Sequence, residues 1–264
     1  MSTLIKVNPD LLKWARNRSG LDISSLAKAL KLKDQSSVEN WEATGEISLS
    51  QLEKVAKKAY VPIGYLFLDT PPKETLPIND FRKVRESQHD KNPSPNLLDT
   101  VLHSQFRQDW FEKKMIENDS DPLSFVNTAR LNSEPEKVAT SIRNILQINE
   151  NTFSSLNTAD ETLRLFVEKV EKAGILVMRS GIVGNNTRRK LEVEEFRGFT
   201  LNNKYSPLIF VNNNDSKSAQ MFTLAHELAH VWLGQSGVSD LSFDENNKIE
   251  AFCNKIASEI LIPN

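Results

Sequence analysis

Phe222-Thr-Leu-Ala-His-Glu-Leu-Ala-His-Val-Trp-Leu233 is the stretch on which the reading of this 264-residue chain turns. Within it His226, Glu227 and His230 spell H-E-x-x-H. Residues four apart share one face of a helix, so both imidazoles reach toward one point and can bind a single Zn²⁺. Glu227 follows the first His, where a carboxylate can take a proton from water without itself binding the ion. Chance would produce this pattern on the order of 0.005 times in a chain of such composition. The competing reading is a buried helix whose two histidines only satisfy local hydrogen bonds. Against it, Leu224, Ala225, Leu228, Ala229, Val231 and Leu233 make the segment apolar nearly all round. An acid and two imidazoles there are costly unless a partner compensates them.

A catalytic zinc takes three protein ligands and keeps one position open. The other two histidines, His89 and His103, fall in a proline-rich stretch and an early helix, so an acid downstream is the better third ligand. Gly234 and Gly237 let the chain reverse into a last helix, read from about Glu245 to Leu261. Ile249, Phe252, Ile256 and Ile260 line one side of it, and Glu250, Cys253, Asn254, Ala257 and Leu261 share the adjoining side. Small residues there permit close packing, and Glu250 turns toward the body of the protein. Glu250 is the preferred ligand. Asp244 and Glu245 are alternatives, and Cys253 is a minor thiolate candidate that reads more simply as a packing residue.

Upstream, strand patterns occur at 175–178, 196–201 and 208–211, the last two joined through Asn202 to Tyr205 as a hairpin connection. Asp215 or Ser216 is the expected N-cap of the H-E-x-x-H helix, which runs to about Gly234. Three helices are expected before the strands. Leu97, Leu98, Val101, Leu102, Phe106, Trp110 and Phe111 form the stripe of the first; Val138, Ile142, Ile145 and Leu146 that of the second; Leu163, Phe166, Val167 and Val170 that of the third, stopped at Gly174. Helices with a small sheet in one unit mean α+β.

Pro71, Pro72, Pro77, Pro93 and Pro95 mark residues 71–96 as a linker between a unit at 1–70 and one at 97–264. The first unit reads as all-α with five helical segments. Leu11, Leu12 and Ala15 carry the first, Ile23, Leu26, Ala27 and Leu30 the second, Val38 and Trp41 a third ending near Gly45, Leu49, Leu52, Val55 and Ala56 a fourth, and 63–68 the last.

With 33 Lys plus Arg against 35 Asp plus Glu, the net charge of -2 excludes a whole-molecule basic field. A composition 39% hydrophobic and 26% charged is that of a globular protein. One cysteine, Cys253, excludes an internal disulfide framework, and no signal-peptide core or 18-residue apolar stretch is present. A soluble, cytoplasmic protein without membrane partners is expected.

Four segments carry a resemblance: Glu195-Phe-Arg-Gly-Phe-Thr200, Ser206-Pro-Leu-Ile-Phe-Val-Asn212, Phe222-Thr-Leu-Ala-His-Glu-Leu-Ala-His230 and Glu250-Ala-Phe-Cys-Asn-Lys-Ile-Ala-Ser-Glu-Ile-Leu-Ile-Pro263. They look like the successive motifs of the ImmA/IrrE family of metallopeptidases. The resemblance implies a zincin-like fold, with His226, His230 and Glu250 as zinc ligands and Glu227 as catalytic acid/base. It also implies proteolysis of a repressor protein in a stress response or in control of a mobile element. The family's last motif usually has Ala and Phe where this chain has Cys253 and Ile256, both compatible with packing. Many members continue beyond that motif, so a chain ending at Asn264 would lack a further sensory segment.

Arg197 could polarise a substrate carbonyl or bind a carboxylate, but pairing with Glu194, Glu195 or another acid is the preferred reading. Tyr205 is a candidate for lining the active site. Residues 8–68 resemble the helix-turn-helix domain of phage repressors of the Cro/CI (XRE) type, with Asp34 to Gly45 at the recognition helix. That likeness implies Gln35, Ser36 and Asn40 at base edges in the major groove. Residues 1–70 carry ten Lys plus Arg and eight Asp plus Glu, a surplus of two, and Glu39, Glu42 and Glu46 weaken the attraction to phosphate. The expectation is a zinc endopeptidase that cleaves a helix-turn-helix repressor. Two alternatives remain: a DNA-binding regulator whose metal domain only senses, and a toxin-like component held by a protein partner.

Overall fold

A computed structural model describes residues 4–80, 93–149, 151–153, 156–239 and 248–262. The chain divides into two compact units, Met1–Thr75 with Asn92–Pro95, and Leu76–Lys91 with Asn96–Asn264.

In the first unit the order is β1 (Leu4–Lys6), α1 (Pro9–Arg18), α2 (Ile23–Ala29), α3 (Ser36–Thr44), β2 (Glu46–Ser48), α4 (Leu49–Ala59) and a 3-10 turn at Ile63–Phe67. Asn8, Asp22 and Ser48 cap α1, α2 and α4 by accepting from the backbone N–H of Asp10, Ser25 and Gln51. The helices close over Leu11, Ala15, Leu26, Val38, Leu52 and Leu66. Five helical segments are present, but the unit is not all-α. β1 and β2 pair antiparallel, Ile5 opposite Ile47, because the left-handed Gly45 (φ +74) turns the chain out of α3 and back along β1. A Cβ at Gly45 would lie 2.0 Å from the Val7 carbonyl oxygen, so no other residue fits. Arg16 holds the buried Glu42 in a two-pronged pair, Nε to Oε1 at 2.6 Å and Nη2 to Oε2 at 3.2 Å.

The second unit continues with β3 (Asn79–Asp80), α5 (Pro95–Glu117), α6 (Pro135–Leu146), α7 (Ala159–Lys172), β4 (Leu176–Ser180), β5 (Ile182–Val183), β6 (Asn186–Lys190), β7 (Gly198–Leu201), β8 (Leu208–Asn212), α8 (Lys217–Leu233), β9 (Gly237–Ser239) and α9 (Lys248–Leu261). Among the described residues, five strands form one sheet in the order β3-β9-β7-β8-β4. β4 runs parallel to β8, β7 antiparallel to both β8 and β9, and β3 parallel to β9. Part of the expected linker thus belongs to this sheet. Residues 81–92, His89 among them, lie outside the described residues. The whole is α+β.

β8 shows how the layers are set. Ile209 and Val211 join Leu224, Leu228, Ile256 and Ile260 beneath α8 and α9, while Leu208 and Phe210 join Leu97, Phe196 and Phe199 on the opposite face. That is the period of two expected of a strand buried on both sides. α8 starts at the Ser216 cap, ends at the left-handed Gly234, and is buried at every residue from Thr223 to Leu233.

α5 departs from its expected single stripe. Leu97, Leu98 and Val101 are buried, but Phe106 and Trp110 are 76% and 63% exposed. The buried face continues instead through Ser104 and Gln108, whose Nε2 donates to the carbonyls of Leu201 and Ser206 at 2.7 and 2.8 Å. The turn between β7 and β8 needs hydrogen-bond donors, and polar residues supply them. No helix among the described residues is long and apolar enough to cross a membrane.

The Arg16–Glu42 pair generates a test. Arg16→Met should lower stability by about 2 kcal/mol in urea unfolding, because it strands a buried carboxylate, and Arg16→Met with Glu42→Met should recover most of that loss. Equal destabilisation by the single and double replacements would deny the pair its role.

Candidate metal centre

His226, Glu227 and His230 are completely buried on α8, and Glu250 is 3% exposed on α9, which packs along it. The Nε2 atoms of His226 and His230 lie 3.1 Å apart. Glu250 bridges them, Oε2 at 3.1 Å from His226 Nε2 and Oε1 at 3.2 Å from His230 Nε2. Four small, fully buried residues, Ala225, Ala229, Cys253 and Ala257, accompany this approach of the two helices. At His226 the tautomer is fixed from behind. Asn254 Oδ1 lies 2.9 Å from Nδ1 and can only accept, so Nδ1 carries the proton and Nε2 offers its lone pair.

Neutral imidazole lone pairs and a carboxylate repel one another at such distances. A cation or a proton must lie among them. Burial opposes the His226 imidazolium, but the hydrogen bond to Glu250 and the charges of Glu227 and Glu250 outweigh it and raise its pKa. Burial likewise opposes the Glu250 carboxylate, yet the hydrogen bonds to His226 and His230 lower it to about 2. The donor set also fits zinc. Tetrahedral bonds of about 2.0–2.1 Å put neighbouring ligand atoms about 3.3–3.4 Å apart, close to the three separations seen here.

Glu227 points from the same turn toward the sheet. Thr200 Oγ1 on β7 donates to its Oε2 at 2.7 Å, while Oε1 is buried without a hydrogen-bond partner among the described residues. Burial raises the Glu227 pKa against the lowering effects of His230, His226 and the Thr200 hydrogen bond. Gly198, two residues before Thr200, leaves room for this carboxylate. A Cβ there would come within 2.6 Å of Thr223 Cγ2 and 3.1 Å of Glu227 Oε1.

The other expected residues are distributed as follows. Cys253 lies with His226 and His230 in a cluster whose donor atoms are within 4.8 Å of one another, but burial, with the charges of Glu250 and Glu227, pushes its thiol well above the usual range. Asp244 and Glu245 lie outside the described residues. Arg197 Nη1 donates to Asp215 Oδ2 at 2.7 Å, an acid beyond the neighbours Glu194 and Glu195. Tyr205 sits in the connection between β7 and β8, with its backbone N–H on Asn203 Oδ1. In the first unit Gln35, Ser36 and Asn40 are exposed at the start of α3, where Gln35 Nε2 donates to Glu39 and the Ser36 hydroxyl to Asp34. Sequence reading missed the parts played by Asn254, Thr200 and Gly198. Asn254 could have been found, since it falls one turn after Glu250 on the same face.

Residues 170–264 match the family model described as Peptidase_M78, IrrE N-terminal-like domain. This supports a metallopeptidase of the IrrE/ImmA type; α5 and α6 lie outside the matched span. No curated protein and no solved structure matches the chain.

Single replacement of His226, His230 or Glu250 by Ala should remove most zinc measured after dialysis, whereas Cys253→Ala should keep one equivalent. Full zinc content in Glu250→Ala would move the third ligand elsewhere.

Proposed function

We propose that the second unit is a zinc-dependent endopeptidase whose substrate is a repressor-type regulatory protein. One observation carries this reading: the buried Oε1 of Glu227, without a hydrogen-bond partner among the described residues, lies next to a convergent His–Glu–His donor set. A domain that only sensed metal would have no use for such an acid. His226, His230 and Glu250 would hold the ion. When bound, zinc supplies Lewis acidity toward a carbonyl and lowers the pKa of water.

Glu227 takes up a proton at Oε1 while Thr200 keeps Oε2 engaged, so the carboxylate neither rotates nor loses its orientation. Complete burial disfavours the charged carboxylate and so helps Glu227 hold that proton until it passes to the leaving amine. Apolar walls on α8 exclude bulk water from the transfer. Arg197, engaged by Asp215, serves to fix the start of β7 rather than to meet substrate.

Restriction to one protein target would come from docking. Leu102, Phe106 and Trp110 present an exposed apolar stripe on α5, a surface suited to a protein partner. Cleavage of a helix-turn-helix repressor, in the cytoplasm, during stress or in control of a mobile element, accords with such selectivity. The first unit is proposed to be a helix-turn-helix domain that contacts DNA through Asn40, with Gln35 and Ser36 beside it. Glu42 weighs less against this than its charge suggests, because Arg16 neutralises it.

Incubation with candidate repressors should give cleavage at one or a few bonds that a chelator abolishes, with little action on casein. Glu227→Gln should retain zinc and lose at least 10²-fold in rate, the scale of a positioned acid/base; full activity in that variant would reject the mechanism. For DNA, Asn40→Ala should relax sequence preference more than it lowers non-specific affinity. Absence of any mobility shift at low salt would leave the first unit as a protein-recognition module.

A further inference from the structure

His230 Nε2 has a third close neighbour besides His226 and Glu250. Ser239 Oγ lies 3.3 Å from it, next to separations of 3.1 Å to His226 Nε2 and 3.2 Å to Glu250 Oε1. Three edges of nearly equal length meeting at one donor atom are what a vertex of a tetrahedral ligand set presents, with about 3.3 Å expected for each.

The position of Ser239 is imposed by the sheet. β9 pairs antiparallel with β7, Ser239 opposite Gly198, Val238 opposite Phe199 and Gly237 opposite Thr200. Cross-strand partners point to the same side, so Ser239 shares the face on which Thr200 meets Glu227. Val238 turns to the other face and is completely buried in the cluster of Leu97, Phe199 and Phe210. β9 therefore fills the lane along β7 beside the metal centre, with β3 paired on its far side; an extended peptide in that lane would find backbone partners on β7 and access to Glu227.

We propose that Ser239 is a fourth ligand that closes the resting site, and that a substrate opens it by replacing Gly237–Ser239 on the edge of β7. This rests on the metallopeptidase reading above. A neutral hydroxyl competes poorly with incoming oxygen ligands compared with the imidazoles and the carboxylate, so it is the exchangeable member of the set. The strand that carries it is three residues long, and its other neighbour, β3, is only two, so β9 can lift from β7 together with β3 while β7, β8 and β4 stay paired. Exposing Val238 opposes that opening. A substrate recovers the loss by placing an apolar side chain in the same slot, so the site selects an extended segment with an apolar residue next to the position that faces the metal.

The test uses the full chain loaded with Co²⁺, in a Cys253→Ala background so that position 239 can carry the sole thiol. Ser239→Cys should then show a thiolate-to-Co²⁺ charge-transfer band in the near ultraviolet that the parent lacks. Ser239→Ala, titrated with acetohydroxamate and followed by the visible Co²⁺ spectrum, should bind that probe about tenfold more tightly than the parent, the factor for a latch closed in about nine molecules of ten. A Ser239→Cys protein that holds one Co²⁺ without the band overturns the proposal, as does equal acetohydroxamate affinity in parent and Ser239→Ala. If Ser239→Cys fails to fold, the Ser239→Ala titration decides. A parent chain that binds no Co²⁺ refutes the metallopeptidase reading itself.

Discussion

Two imidazole nitrogens and a carboxylate converge to within 3.2 Å inside a pair of buried helices, and much of the second unit is arranged to make that possible. Like acceptors tolerate such closeness only with positive charge among them. The helices must therefore approach closely, which Ala225, Ala229, Cys253 and Ala257 allow, and must exclude water, which the apolar circumference of α8 ensures. Asn254 then orients one imidazole from behind. Replacing any of these small residues by a large one would separate donors whose usefulness lies in their spacing.

The sheet supplies what the helices cannot. Gly198, Thr200 and Ser239 stand on the face toward α8, and each meets a different part of the centre: Gly198 leaves space for Glu227, Thr200 holds one of its oxygens, and Ser239 reaches His230. The opposite face of the same strands is core, with Phe199 stacked on Phe210 at 4.9 Å. Strand alternation thus divides chemistry from packing along β7 and β9. The pairing of β9 with β7 links the two, since a chain that leaves this edge both uncovers Val238 and withdraws Ser239.

Legibility followed the length of the signal. α8 and α9 span several turns, so apolar period located them, and the same 100° geometry turned Glu250 inward, where it meets both histidines. The adjoining strands β4, β7 and β8 were visible as apolar runs. Strands of two or three residues, such as β1, β3 and β9, have too little sequence to express a period and exist through partners far along the chain, so neither they nor Ser239 could be read in advance. α5 misled for another reason. Its buried face is completed by Ser104 and Gln108, while Phe106 and Trp110 face outward, a reversal that serves the carbonyls of the β7–β8 turn and leaves an apolar surface exposed. The pairing of Glu42 was not legible either, because its partner Arg16 lies two helices earlier.

The central claim, that the buried cluster is a zinc site built from His226, His230 and Glu250, is tested most directly by X-ray absorption at the zinc edge of the zinc-loaded 264-residue chain. The account predicts a shell of nitrogen and oxygen scatterers at about 2.0–2.1 Å with the outer-ring signature of two imidazoles and no sulfur. A sulfur scatterer at about 2.3 Å would put Cys253 in the ligand set and contradict the assignment of Glu250 as the third protein ligand.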